Sequence, residues 1–273
     1  GASYATFKGM EIVAVALAAW ALFAMLRSTV GLRVAIWAAT LLPVYTLAFD
    51  GAAAVNMLLQ LPLVVACFAA VAVSTGVDVV PRKRLLLALA AGLAIGGAGM
   101  IKQTAVFEAT AAFVLLTIYV PRGVRARAAG AFVLGAAIPA AMFATYFLAV
   151  GHFAEMIDAV IVLAMQRISG DVVAGYGPEL AYYFTLPGAL QNTLLRSLPV
   201  VFLWGGALFA ILRRDRIRPH VPDRIVALSW VWLAAAFGSA VYGRLICDYS
   251  LLGIVPPLLI LAGAFFCYGL NVP

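Results

Sequence analysis

Charge is what this 273-residue sequence lacks most: Asp, Glu, Lys and Arg make up only 11% of it, against about 25% in a soluble domain. Hydrophobic residues account for 66%, and mean hydropathy is +1.09. Surface grows almost as fast as volume, so a water-soluble fold cannot hide that much apolar surface in one core. Lipid must solvate most of the chain. Cysteine is also scarce. Cys67, Cys247 and Cys267 lie in or beside apolar runs without paired spacing, which argues for packing roles and against a disulfide framework or a metal site. Only two histidines occur, and His220 falls among arginines. No HExxH, GxSxG, Walker or Rossmann pattern is present, so the usual sequence signatures of zinc hydrolysis, serine catalysis and nucleotide binding are missing. No cleavable signal peptide is visible and the sequence does not begin with Met. Gly1 therefore reads as an internal position of a longer protein.

What the sequence does have is a series of apolar runs, each near the ~20 residues that a spanning helix needs. They cover 10–26, 33–49, 55–75, 85–101, 104–120, 128–150, 194–212, 225–242 and 249–268. The expected fold is an all-α, polytopic membrane helix bundle of about nine transmembrane helices, with 1–273 forming one transmembrane domain. Pro43, Pro62, Pro139, Pro199 and Pro256-Pro257 fall within these runs, and lipid-embedded helices tolerate proline better than soluble ones. The fourth and fifth runs are separated only by residues around Lys102, which predicts a tight hairpin. The one long polar connection is 151–193. Its first part, His152 to Ile168, suits an amphipathic helix on the membrane surface. Gly170, Gly175, Gly177 and Pro178 then mark irregular chain near Tyr176, Tyr182 and Tyr183.

The basic residues fall on alternate connections. Arg27 and Arg33; Arg82, Lys83 and Arg84; Arg122, Arg125 and Arg127; and Arg213, Arg214, Arg216, Arg218 and Arg224 form one set. The other set holds only Lys8, Lys102, Arg167, Arg196 and Arg244, with Asp50, Glu155, Asp158, Asp171, Glu179 and Asp248. Cytoplasmic loops are enriched in Lys and Arg, so the N-terminus is expected outside and the C-terminus cytoplasmic. The net charge of +7 is then a topology signal, and no nucleic-acid partner is needed to explain it.

Polar residues at or inside a membrane are costly and tend to be functional. Lys102, Gln103 and Thr104 follow Gly92, Gly96, Gly97 and Gly99, of which Gly92 and Gly96 form a GxxxG pair suited to close helix approach. A lysine at a helix N-terminus favours a phosphate, through free N–H groups and the helix dipole. It equally serves as a snorkelling anchor for a short hairpin. Glu108, one turn further on, either pairs with Lys102 or Gln103 or lines a polar cavity. Arg244 and Asp248 share a helical face, so they either pair with each other or hold a phosphate between them, next to Tyr249. Asp50 and Asn56 flank a turn and read as ordinary loop residues. His152, Glu155 and Asp158 are suited to acid–base chemistry or to plain solvation at headgroup level.

Three segments together resemble a known family. "AIGGAGMIKQTAVFEA", "YFLAVGHFAEMIDAVIVLAMQRISG" and "GRLICDYSLLGIVPPLLILAG" are similar to C-type membrane glycosyltransferases, in the branch of the protein O-mannosyltransferases and the lipid A aminoarabinose transferases. The likeness is collinear from about residue 7 to residue 265, and the order and spacing of the three segments carry it. The resemblance implies a transferase that moves a sugar from a polyprenyl-phosphate carrier to a lipid, protein or glycan acceptor at the outer face of a bacterial cytoplasmic membrane. It carries Lys102, Gln103, Arg244 and Tyr249 over as substrate-binding residues. The family's catalytic carboxylate, a base or a partner of a divalent metal ion, lies in a loop before the stretch that Gly1–Met10 resembles. No catalytic residue is therefore assigned, and the chain is expected to lack that N-terminal helix and loop. Competing classes are a secondary transporter or flippase of a lipid-linked or small anionic substrate, a noncatalytic assembly subunit, and another polyprenyl-linked enzyme of surface polysaccharide.

Overall fold

The computed structural model describes residues 4–48, 55–162, 185–242 and 248–270, and the described chain is helical throughout, with no strand. The first six helices are α1 (Tyr4–Thr29), α2 (Leu32–Ala48), α3 (Val55–Ser74), α4 (Pro81–Ile101), α5 (Val106–Tyr119) and α6 (Arg122–Ala149). A short α7 (Phe153–Ile157) follows, then α8 (Leu186–Arg196), α9 (Val201–Leu212), α10 (Arg214–Ile217), α11 (Asp223–Tyr242) and α12 (Val255–Ala264).

Six helical stretches among the described residues are long and apolar enough to cross a bilayer: Thr6–Thr29, Asn56–Ser74, Pro81–Ile101, Arg122–Ala149, Asp223–Tyr242 and Leu251–Gly269. They mark the chain as an integral membrane protein. The other three expected spans take different forms. Leu32–Leu47 and Gln103–Tyr119 are apolar but shorter, and Leu186–Arg196 with Leu198–Leu212 is a pair bent by 44°.

The bend corrects the sequence expectation of a single run over 194–212. The Ser197 hydroxyl donates back to the Leu194 carbonyl at 2.7 Å, and Pro199 has no N–H to continue an α-helix. Leu198–Val200 winds as a 3-10 turn instead. Residues 186–193, expected in the polar connection, are helical. Thr185 caps them, its hydroxyl accepting from the Gly188 N–H at 3.2 Å, with a proline in the first turn. That Thr-Leu-Pro start is a helix signal legible in the sequence. The surface helix expected from His152 to Ile168 is α-helical only over Phe153–Ile157 and continues as a π-helical turn through Asp158–Val162; residues 163–168 lie outside the described residues. Pro43, Pro62 and Pro139 do lie inside helices. Pro256 and Pro257 lie within the apolar stretch Leu251–Gly269. They occupy the first turn of α12, where a missing N–H leaves no hydrogen bond broken.

Helix order in the bundle follows side-chain size. Gly92 and Gly96 on α4 face α6: a Cβ at Gly92 would lie 2.1 Å from the Phe132 carbonyl oxygen, and one at Gly96 would lie 2.5 Å from that of Ala136. Gly135 answers from α6 against Leu89. α5, although joined to α4 by a tight link, packs chiefly on α11. α3 is tied to α11 by stacked Phe68 and Trp232 rings, with centroids 4.2 Å apart. Every residue of α12 is buried, as expected of a helix apolar on all sides.

Contacts between distant residues sort the connections into two ends. Tyr268 reaches Gly31, Arg224 reaches Gly76, and His220 stacks on Tyr268 at 4.5 Å. Three arginine-bearing turns therefore share one end, and the parallel contacts of Gly92 with Phe132 and Gly96 with Ala136 bring Arg122–Arg127 to it as well. Met57, Lys102, Gln103, Val160 and Gly253 gather toward the other.

Candidate functional site

The link between α4 and α5 builds the polar end. α4 stops because Lys102 takes an extended backbone, φ −149° and ψ 120°, before the 3-10 turn Gln103–Ala105. The half-buried Lys102 ammonium rests 3.2 Å from the Met57 sulfur in the first turn of α3. A thioether is a weak acceptor, so this contact positions the charge more than it satisfies it. The Gln103 amide donates to the Val160 carbonyl at 3.5 Å, which joins this link to the π-helical turn after α7. The Thr104 hydroxyl oxygen is buried without a hydrogen-bond partner.

Glu108 lies deeper, on α5, with 3% of its surface exposed. Ser239 of α11 lies within reach of its carboxyl group, and Lys102 is the charge that acts on it. Its Oε2 has no partner. Gly253, in the 3-10 segment Asp248–Ile254, leaves room beside Oε1: even a Cβ there would stand 3.8 Å away. A carboxyl group at this depth is expensive and by default functional. Of the two partners the sequence offered, Lys102 acts on it through charge, and Ser239, which the sequence did not single out, adjoins it.

Two further buried polar residues escaped the sequence analysis. Gln60, on α3, has an unpartnered Oε1. Glu11, on α1, is held by Lys8 at 2.7 Å through one oxygen and leaves the other unpartnered. The available signal was a lone polar residue interrupting an apolar run, as in "MLLQLPLVV".

The remaining candidates stand apart. Arg244 and Asp50 lie outside the described residues, and of Asp248 and Tyr249 only the backbone, a 3-10 turn, is described. His152 and Glu155 face each other at 3.3 Å, both exposed, and Asp158 is exposed as well. Asn56 is exposed at the start of α3.

An apolar groove of about 790 Å³ runs between α1 and α3, lined by Val13, Leu17, Trp20, Leu59, Pro62 and Ile101 among others. Ile101 is the residue before Lys102, so the groove reaches the start of the link between α4 and α5. Among the described residues no three His, Cys, Asp or Glu side chains converge to hold a metal ion. The donor set for a divalent cation is not assembled there. Comparison with known proteins finds no family model, no curated protein and no solved structure that matches this chain.

Proposed function

We propose that the chain crosses the membrane nine times, N-terminus outside, and is a glycosyltransferase that moves a sugar from a polyprenyl-phosphate carrier to an acceptor at the outer face. The observation that carries this reading is an apolar groove open along α1 and α3 that reaches Ile101, next in the chain to the half-buried Lys102. An amphipathic carrier needs both parts side by side: an apolar channel for its isoprenoid tail and a fixed cation for its phosphate. The likeness of three segments to C-type glycosyltransferases points the same way. In the reaction an acceptor oxygen attacks the anomeric carbon, and the bond from that carbon to the phosphate oxygen breaks. The electron pair leaves with the lipid phosphate, and the acceptor's proton leaves to a base that this chain does not identify. Charge grows on the phosphate as the bond breaks, and a preorganised cation in a water-poor site stabilises it. Lys102 has that role here, with Gln103 beside it, and the family likeness adds Arg244 and Tyr249.

Polyprenyl-phosphate binding to the purified protein in detergent tests this. Lys102→Ala is expected to weaken binding at least tenfold, about 1.4 kcal/mol, and Pro62→Trp, which fills the groove, to weaken it comparably. Binding unaffected by both substitutions would remove the carrier site.

A second reading, secondary transport of a lipid-linked or small anionic substrate, draws on Glu108. A buried carboxyl with one unpartnered oxygen inside a helix bundle is a common coupling group in transporters. In liposomes, a transporter is expected to flip a fluorescent polyprenyl-phosphate analogue and to lose flipping in Glu108→Gln while still binding it. No flipping by wild type, with binding intact, leaves the transferase.

A further inference from the structure

The second cavity lies at the arginine-bearing end of the bundle, away from Lys102. It measures about 350 Å³ and sits between α9, α10, α11 and α12. Its wall is apolar, formed by Ile211, Val226, Trp230 and Leu261, while Arg214, Arg218 and Asp223 stand at its rim. Asp223 accepts from Arg214 Nη2 at 3.0 Å and lies 3.2 Å from Arg218 Nε. One carboxylate thus faces two guanidinium groups, which leaves a net positive charge at the mouth of an apolar cavity. Each guanidinium carries five N–H donors in a planar fork. The contacts with Asp223 occupy one nitrogen of each and hold both forks at the rim. Both arginines are largely exposed, at 63% and 70% of the side chain, so the remaining donors face outward.

We infer that this cavity is a binding site for an anionic phospholipid, with the phosphodiester on Arg214 and Arg218 and the start of one acyl chain against Trp230 and Leu261. Four features select that ligand. The cavity joins the apolar wall of spanning helices to a cationic rim, which neither a soluble anion nor a neutral lipid matches on both counts. The phosphodiester meets a bidentate donor geometry suited to it. Basic pockets between membrane helices at a charged, arginine-rich end are where anionic headgroups bind. Trp230 supplies the amphipathic ring that favours the membrane interface. Asp223 repels a phosphate placed directly on it, so the headgroup sits on the outer faces of the two forks.

Native mass spectrometry of the detergent-purified protein, titrated with phosphatidylglycerol or phosphatidylcholine, tests the site. Phosphatidylglycerol is expected to bind at least tenfold more tightly than phosphatidylcholine. The Arg214→Gln/Arg218→Gln pair is expected to abolish that preference, while Arg122→Gln/Arg127→Gln, which removes equal charge from the same end outside the cavity, leaves it intact. Ala227→Leu, which fills the cavity, should weaken phosphatidylglycerol binding without any change of charge. Glycerophosphoglycerol, the headgroup without tails, should fail to compete at equal concentration. Equal binding of the two lipids to wild type, or equal loss in both arginine pairs, overturns the site and leaves only general attraction to a basic face. Full competition by the free headgroup overturns the acyl-chain part. None of these outcomes depends on Lys102, so the polyprenyl-phosphate reading stands or falls separately.

Discussion

Gly92→Leu is expected to leave no folded protein, and Gly92→Ala to destabilise the bundle by about 3 kcal/mol, the upper range for overpacking a tight interior. The cause is backbone against backbone. A Cβ at Gly92 would stand 2.1 Å from the Phe132 carbonyl oxygen and 2.9 Å from the Ala136 nitrogen. Neither atom belongs to a side chain that can rotate away, so α4 and α6 must separate along their whole crossing. Gly135→Ala, facing Leu89 O at 2.3 Å, should behave alike. Gly99→Ala is the control: nothing lies within 4 Å of a Cβ there, and alanine's better helix propensity, about 1 kcal/mol, should make that variant neutral or slightly more stable. Equilibrium unfolding of the four variants in mixed detergent measures this. A Gly92→Ala variant as stable as Gly99→Ala would refute the close crossing.

Arg84→Met is expected to cost about 4 kcal/mol, roughly 1 kcal/mol for each of four carbonyls that lose a charged donor. Helix α3 ends at Ser74 with four carbonyls that have no partner within the helix, and each is satisfied. Val71 accepts from the Ser74 hydroxyl at 2.9 Å and the Thr75 N–H at 3.0 Å. Ala72 accepts from the Thr75 hydroxyl, and Val73 from the Gly76 N–H, both at 3.0 Å. Ser74 accepts from Arg84 Nη1 at 2.6 Å. The same guanidinium reaches the carbonyls of Gly76 at 2.8 Å, Val77 at 3.2 Å and Val79 at 2.8 Å. With 5% of its surface exposed, Arg84 fastens the turn between α3 and α4 from inside. Arg84→Lys keeps the charge but loses the planar fork, and should recover less than half of the loss. Thermal unfolding in detergent distinguishes the three proteins. Arg84→Met melting with wild type would mean that water already serves these carbonyls.

These two residues also show where sequence reasoning stopped. Arg84 was visible only as one cation among the thirteen of the basic set, because charge counting assigns a side to a loop and says nothing about where one guanidinium points. Gly92 and Gly96 were visible as a close-approach pair, but their partner was not. That partner is α6, two helices further along the chain. Lys102 and Gln103 were found as candidates because a polar break between two apolar runs is conspicuous. Ser239, on another helix, was missed because a serine in an apolar run looks the same whether it faces lipid, backbone or a buried carboxyl.

The sequence by itself determined the solvent and the class of element. Scarcity of charge excludes a water-soluble core, and runs near 20 apolar residues allow only helices in lipid, where each backbone group must find its partner within its own segment. Only the tertiary structure decided which helices touch. It set Glu108 against Ser239, the apolar groove up to Ile101, and Arg214 and Arg218 together on Asp223 at the opposite end. The physical reason is that hydropathy is a property of one residue in its solvent, whereas a site is a juxtaposition. In lipid, where apolar faces are nearly interchangeable, small residues and a few buried polar groups select the partners.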